Sequence, residues 1–130
     1  MNEKFPSSEK LKSKILIDRL FSEGKSLKNF PVKLIYLPLN NPQETHFKTG
    51  VSVPKRIFKH AVDRNRLKRL MREAFRKNKY LVENNLQGKY ALMFIYTSPK
   101  KVNIEQMTTC IVQIMNKLIE RESSHENVNP

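Results

Sequence analysis

Arginine dominates the stretch of this chain whose side-chain types and spacing could do chemistry: Arg64-Asn65-Arg66-Leu67-Lys68-Arg69, followed by Arg72 and Arg76. A guanidinium is a planar fork that meets phosphate through two parallel hydrogen bonds and stacks on bases, which a lysine cannot do. From Lys55 to Lys79 there are eleven Lys and Arg, including Arg56 and Lys59, against only Asp63 and Glu73. That segment holds nine of the thirteen net positive charges of a 130-residue chain. Charge placed for solubility would be dispersed. A patch of this kind selects a polyanion, and by charge alone RNA, DNA and an anionic membrane all qualify.

Other chemistries find little material. The aspartates are Asp18 and Asp63, far apart in sequence, and His46, His60 and His125 lack metal-ligand spacing. Three glycines furnish neither a phosphate-binding loop nor a dinucleotide fingerprint. The residues therefore predict binding rather than a protein-based catalytic or metal site. A lone cysteine, Cys110, excludes an internal disulfide and fits a reducing compartment, as a small buried hydrophobe on a helix face. No apolar run approaches the roughly 20 residues that span a bilayer, and the polar N-terminus lacks the apolar centre of a secretory signal. A soluble, cytoplasmic protein is expected.

The elements that must position the arginines follow from periodicity. Residues 1–12 are expected to form a flexible arm, with Pro6, Ser7 and Ser8 as breakers. Ser13 caps a helix through Glu23, with Leu16, Ile17, Leu20 and Phe21 at helical spacing and Gly24 as a left-handed stop. Pro31 to Leu39 alternates as a strand, Val32, Leu34 and Tyr36 opposing Lys33, Ile35 and Leu37. After the Asn40-Asn41-Pro42 turn, His46 to Val53 gives a second strand, completing a hairpin with the first. Asp63 is placed as N-cap of a helix from Arg64 to Asn78. Lys89 to Thr97 (KYALMFIYT) is an apolar run, the pattern of a central strand buried on both faces. A last helix spans Ile104 to Arg121, with Ile104, Met107, Ile111, Met115 and Leu118 on one stripe. Residues 13–121 form one domain, and 122–130 are expected as a disordered tail.

At about 100° per residue, Leu67, Leu70, Met71, Ala74 and Phe75 share one arc of the central helix. Asn65, Lys68, Arg69, Arg72, Arg76 and Lys79 take the opposite arc, a run of cations of one sign. Arg64-Asn65-Arg66 falls in the expected first turn, where the helix dipole disfavours cations. A local rule broken without structural gain points to function, and a docked anion would relieve it.

The stretch GVSVPKRIFKHAVDRNRLKRLMREAFR, Gly50 to Arg76, resembles the signature of the bacterial ribonuclease P protein. Lys55, Ala61-Val62, Arg64-Asn65-Arg66, Lys68-Arg69 and Arg72-Glu73 carry the likeness, about ten positions in strand-to-helix context. The element order extends it over roughly Leu11 to Arg121.

The resemblance implies an α/β (α+β) two-layer sandwich ordered αβββαβα, with a small mixed central sheet and a left-handed crossover. One strand more than the pattern gives is then needed, near Lys25 to Phe30. It also implies the protein subunit of ribonuclease P, assisting a catalytic RNA in removing the 5′ leader of precursor tRNA. The catalytic centre and its Mg²⁺ belong to the RNA subunit, with no cofactor on the protein. The implied partners are ribonuclease P RNA and precursor tRNA, with neither a membrane nor an obligate protein partner. By position, Lys55, Arg56, Arg64, Asn65, Arg66, Lys68, Arg69, Arg72 and Arg76 would engage RNA. Phe21, Tyr36, Ser52 and Ile17 would line a cleft for the leader. Two departures from many members are Ile17, where an aromatic is common, and a longer Ile57–His60 connection. The alternative is a non-enzymic RNA-binding module, a ribosomal protein or RNA chaperone. Membrane-surface binding ranks below both, because the helix's apolar stripe is needed for the core.

Overall fold

The computed structural model describes residues 10–40 and 47–126, so the expected arm up to residue 9, most of the Asn40-Asn41-Pro42 turn and His46 lie outside them. The order is α1 (Lys14–Glu23), β1 (Lys25–Asn29), β2 (Val32–Leu39), β3 (Lys48–Ser52), α2 (Ala61–Asn78), α3 (Tyr80–Asn85), β4 (Lys89–Tyr96) and α4 (Ile104–Glu126). Apart from the short α3, this is the αβββαβα order that the resemblance implies, and β1 occupies the place left for the missing strand.

The sheet runs β1-β2-β4-β3, antiparallel except for the parallel β3–β4 pair. The expected hairpin between β2 and β3 does not form; the hairpin is β1–β2, and β4 inserts between β2 and β3. The reason is apolarity. Ala91, Leu92, Met93 and Phe94 of β4 are all buried, so β4 needs a neighbour on each edge. The short β3, carrying Lys48, Gly50 and Ser52, takes the rim. Lys117 Nζ donates to the Lys28 carbonyl at 2.9 Å and Arg121 Nη1 to that of Ser26 at 3.3 Å, so α4 covers the outer edge of β1.

One face of the sheet, with Val32, Leu34, Tyr36, Leu92, Phe94 and Tyr96, packs against Leu67, Met71 and Phe75 of α2, Val82 of α3, and Met107, Ile111, Ile114 and Leu118 of α4. The other face buries Ile35, Leu37, Ala91 and Met93 beneath Leu20 of α1. Cys110 is buried as expected, and its Sγ donates to the Asn29 carbonyl at 2.9 Å. Burial pushes its thiol pKa up.

Several boundaries differ from the sequence expectations for identifiable reasons. Ser13 does cap α1, accepting from the Leu16 N–H at 3.2 Å. Gly24, however, sits at φ −70° and ψ 156°, not in the left-handed region. Glycine is required there by space: a Cβ would collide with the Leu20 carbonyl oxygen and lie 2.8 Å from Ile35 Cγ2. Gly24→Ala should cost about 1–3 kcal/mol of stability through overpacking, read as a lower denaturant midpoint at unchanged slope. A midpoint equal to wild type would show that α1 shifts freely on the sheet.

The central helix starts three residues earlier than expected. His60 is the N-cap without a side-chain cap bond, and Asp63 lies in the first turn. There Asp63 accepts a 2.8 Å ion-pair bond from Lys101 Nζ, which holds its carboxyl below the usual range. At the other end, α4 runs past Arg121 to Glu126 instead of yielding to a disordered tail from residue 122. Buried Glu122 accepts from Tyr36 Oη at 2.9 Å and Tyr90 Oη at 3.0 Å. Those bonds pin the last turns. The arm is likewise not loose up to residue 12: Lys10 bridges to Thr49, and the Leu11 N–H donates to the Thr49 carbonyl at 3.0 Å.

Candidate nucleic-acid interface

Packing α2 on the sheet through Leu67, Met71, Ala74 and Phe75 turns Asn65, Arg69 and Arg72 to solvent. The sequence arcs are thus reproduced, except that Leu70 is only half-buried. Beside this face lies a groove of about 950 Å³ that wraps the β3 edge. Asn65, Arg69, Arg72, Glu73 and Arg76 of α2 form one wall. Ile17 of α1 and the segment Lys10–Lys12 form the other, with Thr49, Gly50, Val51 and Met93 as floor.

The groove gathers five of the residues expected to contact RNA or leader: Ile17, Asn65, Arg69, Arg72 and Arg76. Glu73 is its sole carboxylate among the described residues and does not neutralise Arg69 or Arg72. It is engaged by Arg76 at 2.5 Å and Lys77 at 3.4 Å, and the Arg76 hydrogen bond chiefly holds its carboxyl below the ordinary value. Arg69 and Arg72 have no ion-pair partner among the described residues and stand exposed. Two unpaired guanidiniums one helical turn apart form a grip for successive phosphates.

The remaining expected contacts are placed elsewhere. Arg66 flanks a smaller recess with Asp63, Leu70 and Lys101. Lys68 is half-buried, and Lys55 and Arg56 are exposed on the β3–α2 connection. Arg64 closes the first turn, its N–H donating to the His60 carbonyl, and its Nη1 donates to the Phe58 and Lys59 carbonyls at 2.8 and 2.7 Å. The expectation of Arg64-Asn65-Arg66 in the first turn is therefore corrected for Asn65 and Arg66: Ala61, Val62 and the acidic Asp63 come first, and Arg64 alone of the three closes that turn.

Of the four expected cleft residues, Ser52 is half-buried in the β3 row paired with Ile95, on the α1 face. Phe21 is 55% exposed, one turn beyond Ile17 on α1 and on its face. Tyr36 does not belong. It is fully buried on the opposite face, in the row of Leu92, with its hydroxyl spent on Glu122. Alternation in β2 put Tyr36 on the right strand but could not say which face α1 covers.

The sequence reading missed Lys10, Leu11, Lys12, Thr49 and Met93 as groove residues. The Lys-Leu-Lys alternation was the available signal, weak because it follows a run of breakers. Thr49 is buried in the floor, and its Oγ1 has no hydrogen-bond partner among the described residues. Among the described residues no three or more His, Cys, Asp or Glu converge, and no helix is long and apolar enough to cross a membrane.

The comparisons bear on this geometry. A family model described as Ribonuclease P matches residues 5–119. A ribonuclease P protein component of Porphyromonas gingivalis is 40% identical over 80 residues, covering 62% of this chain and 58% of that protein. One from Caldanaerobacter subterraneus subsp. tengcongensis is 38% identical over 86 residues, covering 66% and 67%. The RNase P protein of Staphylococcus aureus superposes with a TM-score of 0.69 at 24% identity, covering 85% of this chain and 94% of that one. The protein from Thermotoga maritima gives 0.66 at 22%, covering 84% and 96%. At these identities the superpositions establish the fold. The chain spans under two thirds of the length of several curated relatives, 58% of the one from Porphyromonas gingivalis and 54% of one from Chlorobaculum tepidum.

Proposed function

Because this chain belongs to the ribonuclease P protein family, we propose that it acts as the protein subunit of a ribonuclease P ribonucleoprotein that removes the 5′ leader from precursor tRNA. The observation that carries the reading is the pair Arg69 and Arg72 over a groove in which, among the described residues, neither has an ion-pair partner and the one carboxylate is occupied by Arg76 and Lys77. Guanidiniums so placed hold a phosphodiester backbone. Ile17 and the exposed Phe21 offer apolar surface on the far side. Stacking of a base on such a ring contributes about 1–3 kcal/mol and tolerates any sequence. That tolerance suits a leader of variable sequence.

In this reading the groove holds single-stranded leader, and the outward cations of α2 and the β3–α2 connection bind the catalytic RNA. The scissile chemistry and its Mg²⁺ belong to that RNA. The protein's own contribution is charge neutralisation and alignment, which lowers the Mg²⁺ needed by the folded RNA. A cytoplasmic location follows from the partners.

Reconstitution tests it. Precursor tRNA is incubated with a bacterial ribonuclease P RNA at low Mg²⁺, with and without the chain. The expected outcome is cleavage at the mature 5′ end only when both are present, and tighter binding of precursor than of mature tRNA. Equal affinity for the two tRNAs would remove the leader groove from the account. RNA binding with no effect on cleavage would leave an RNA-binding module outside 5′ maturation.

A further inference from the structure

The β3–α2 connection presents Lys55, Arg56 and Lys59 to solvent while Ile57 and Phe58 turn into the core. Its first half is held by its own backbone: the Ile57 and Phe58 N–H groups donate to the Pro54 carbonyl at 3.1 and 3.2 Å. Its second half is held by a side chain. Arg64 Nη1 sends one bond to the Phe58 carbonyl at 2.8 Å and another to the Lys59 carbonyl at 2.7 Å, across six and five residues. Both hydrogens of that nitrogen are thereby used.

We infer that Arg64 is a positioning residue: it clasps the connection from within the helix so that Arg56 and Lys59 are set to meet RNA phosphates together. This rests on the RNA-binding reading above and assigns Arg64 a different part in it from Arg69 and Arg72. The chemistry accounts for an oddity of the sequence. A guanidinium near the positive end of a helix is disfavoured, and two carbonyl oxygens directed at it offset that cost with charge-assisted bonds. The helix begins close to this clasp, with the Arg64 N–H donating to the His60 carbonyl at 3.2 Å. Holding the connection and starting the helix are therefore parts of one arrangement.

The test has two arms on the full chain. In the first, amide exchange is measured on the free protein carrying Arg64→Ala. Exchange at Ile57, Phe58 and Arg64 should speed by about tenfold or more while β4 amides stay protected, as in local opening of a folded chain. Unchanged exchange at these three amides would overturn the clasp. In the second, binding to a ribonuclease P RNA transcript is measured for Arg64→Ala, Arg56→Ala, Lys59→Ala and the two double variants with Arg64→Ala. Arg56→Ala and Lys59→Ala should each weaken binding about fivefold in the wild-type background but less than about twofold beside Arg64→Ala. A purely structural or a direct phosphate-contacting Arg64 would instead give losses that multiply, and that result would overturn the inference while leaving the RNA-binding reading in place. Failure of the wild-type chain to bind the transcript at low salt would defeat that reading and the functional half of the inference, with the exchange arm still judging the clasp.

Discussion

The double variant Arg69→Ala/Arg72→Ala should fold like the wild-type chain and lose most of its grip on RNA. Each cation that neutralises a phosphate displaces about 0.7–0.9 counterion, so removing two contacts should flatten the log–log salt dependence by roughly 1.4–1.8. At about 0.15 M salt that release alone corresponds to roughly a 15- to 30-fold loss of affinity. Both side chains are exposed and make no ion pair among the described residues, so stability should stay within about 0.5 kcal/mol of wild type. Leu67→Ala inverts the pattern. Leu67 is 1% exposed in the main core, and its truncation should cost about 2–5 kcal/mol without changing the salt slope of the molecules that remain folded. Arg76→Ala belongs between them, because its guanidinium is shared with Glu73 at 2.5 Å. If the double variant binds with the wild-type salt slope, the groove is not the phosphate path, and the basic face of α2 faces only water.

What the sequence could disclose follows from the range of its signals. The faces of α2 were legible because helical periodicity is local: five apolar positions against one run of cations leaves a single orientation on a core. The burial of β4 was legible for the same reason. Its neighbours were not, since alternation shows that a strand has two faces but not which strand lies on either edge. The β2–β3 hairpin was therefore expected where β4 in fact intervenes. The same limit misplaced Tyr36, whose face depends on α1 covering the opposite side of the sheet. The start of α2 was misjudged because Asp63 is a good N-cap in isolation. Its bond to Lys101, from a segment 38 residues later, is a tertiary contact that no local pattern records. Groove residues Lys10 to Lys12 were hidden similarly, because their docking depends on the open edge of β3.

Glu122→Ala should be among the most damaging substitutions in the chain although it lies far from the arginines. Its carboxylate is buried at 6% exposure and takes hydrogen bonds from two phenols, Tyr36 on β2 and Tyr90 on β4. Arg121 Nη1 approaches the Tyr36 hydroxyl at 3.4 Å. Truncation leaves both phenols without their acceptor, and each buried unsatisfied group costs about 1–3 kcal/mol, for a total of about 2–6 kcal/mol. Glu122→Gln keeps one acceptor oxygen and should lose about half as much. Tyr36→Phe should cost about 1 kcal/mol and leave RNA affinity unchanged, as fits a core residue rather than a leader contact. The alkaline limb of stability gives a second readout. Burial raises the Tyr36 pKa, and that of Tyr96, above the ordinary value of 10.0. The unfolded phenols thus release their protons first, the native state holds more protons above about pH 10, and stability falls as pH rises toward the folded pKa values. Tyr36→Phe should shallow that fall. A Glu122→Ala chain as stable as wild type would mean that the last turns of α4 do not hold the sheet, leaving β2 and β4 to be secured by their apolar face alone.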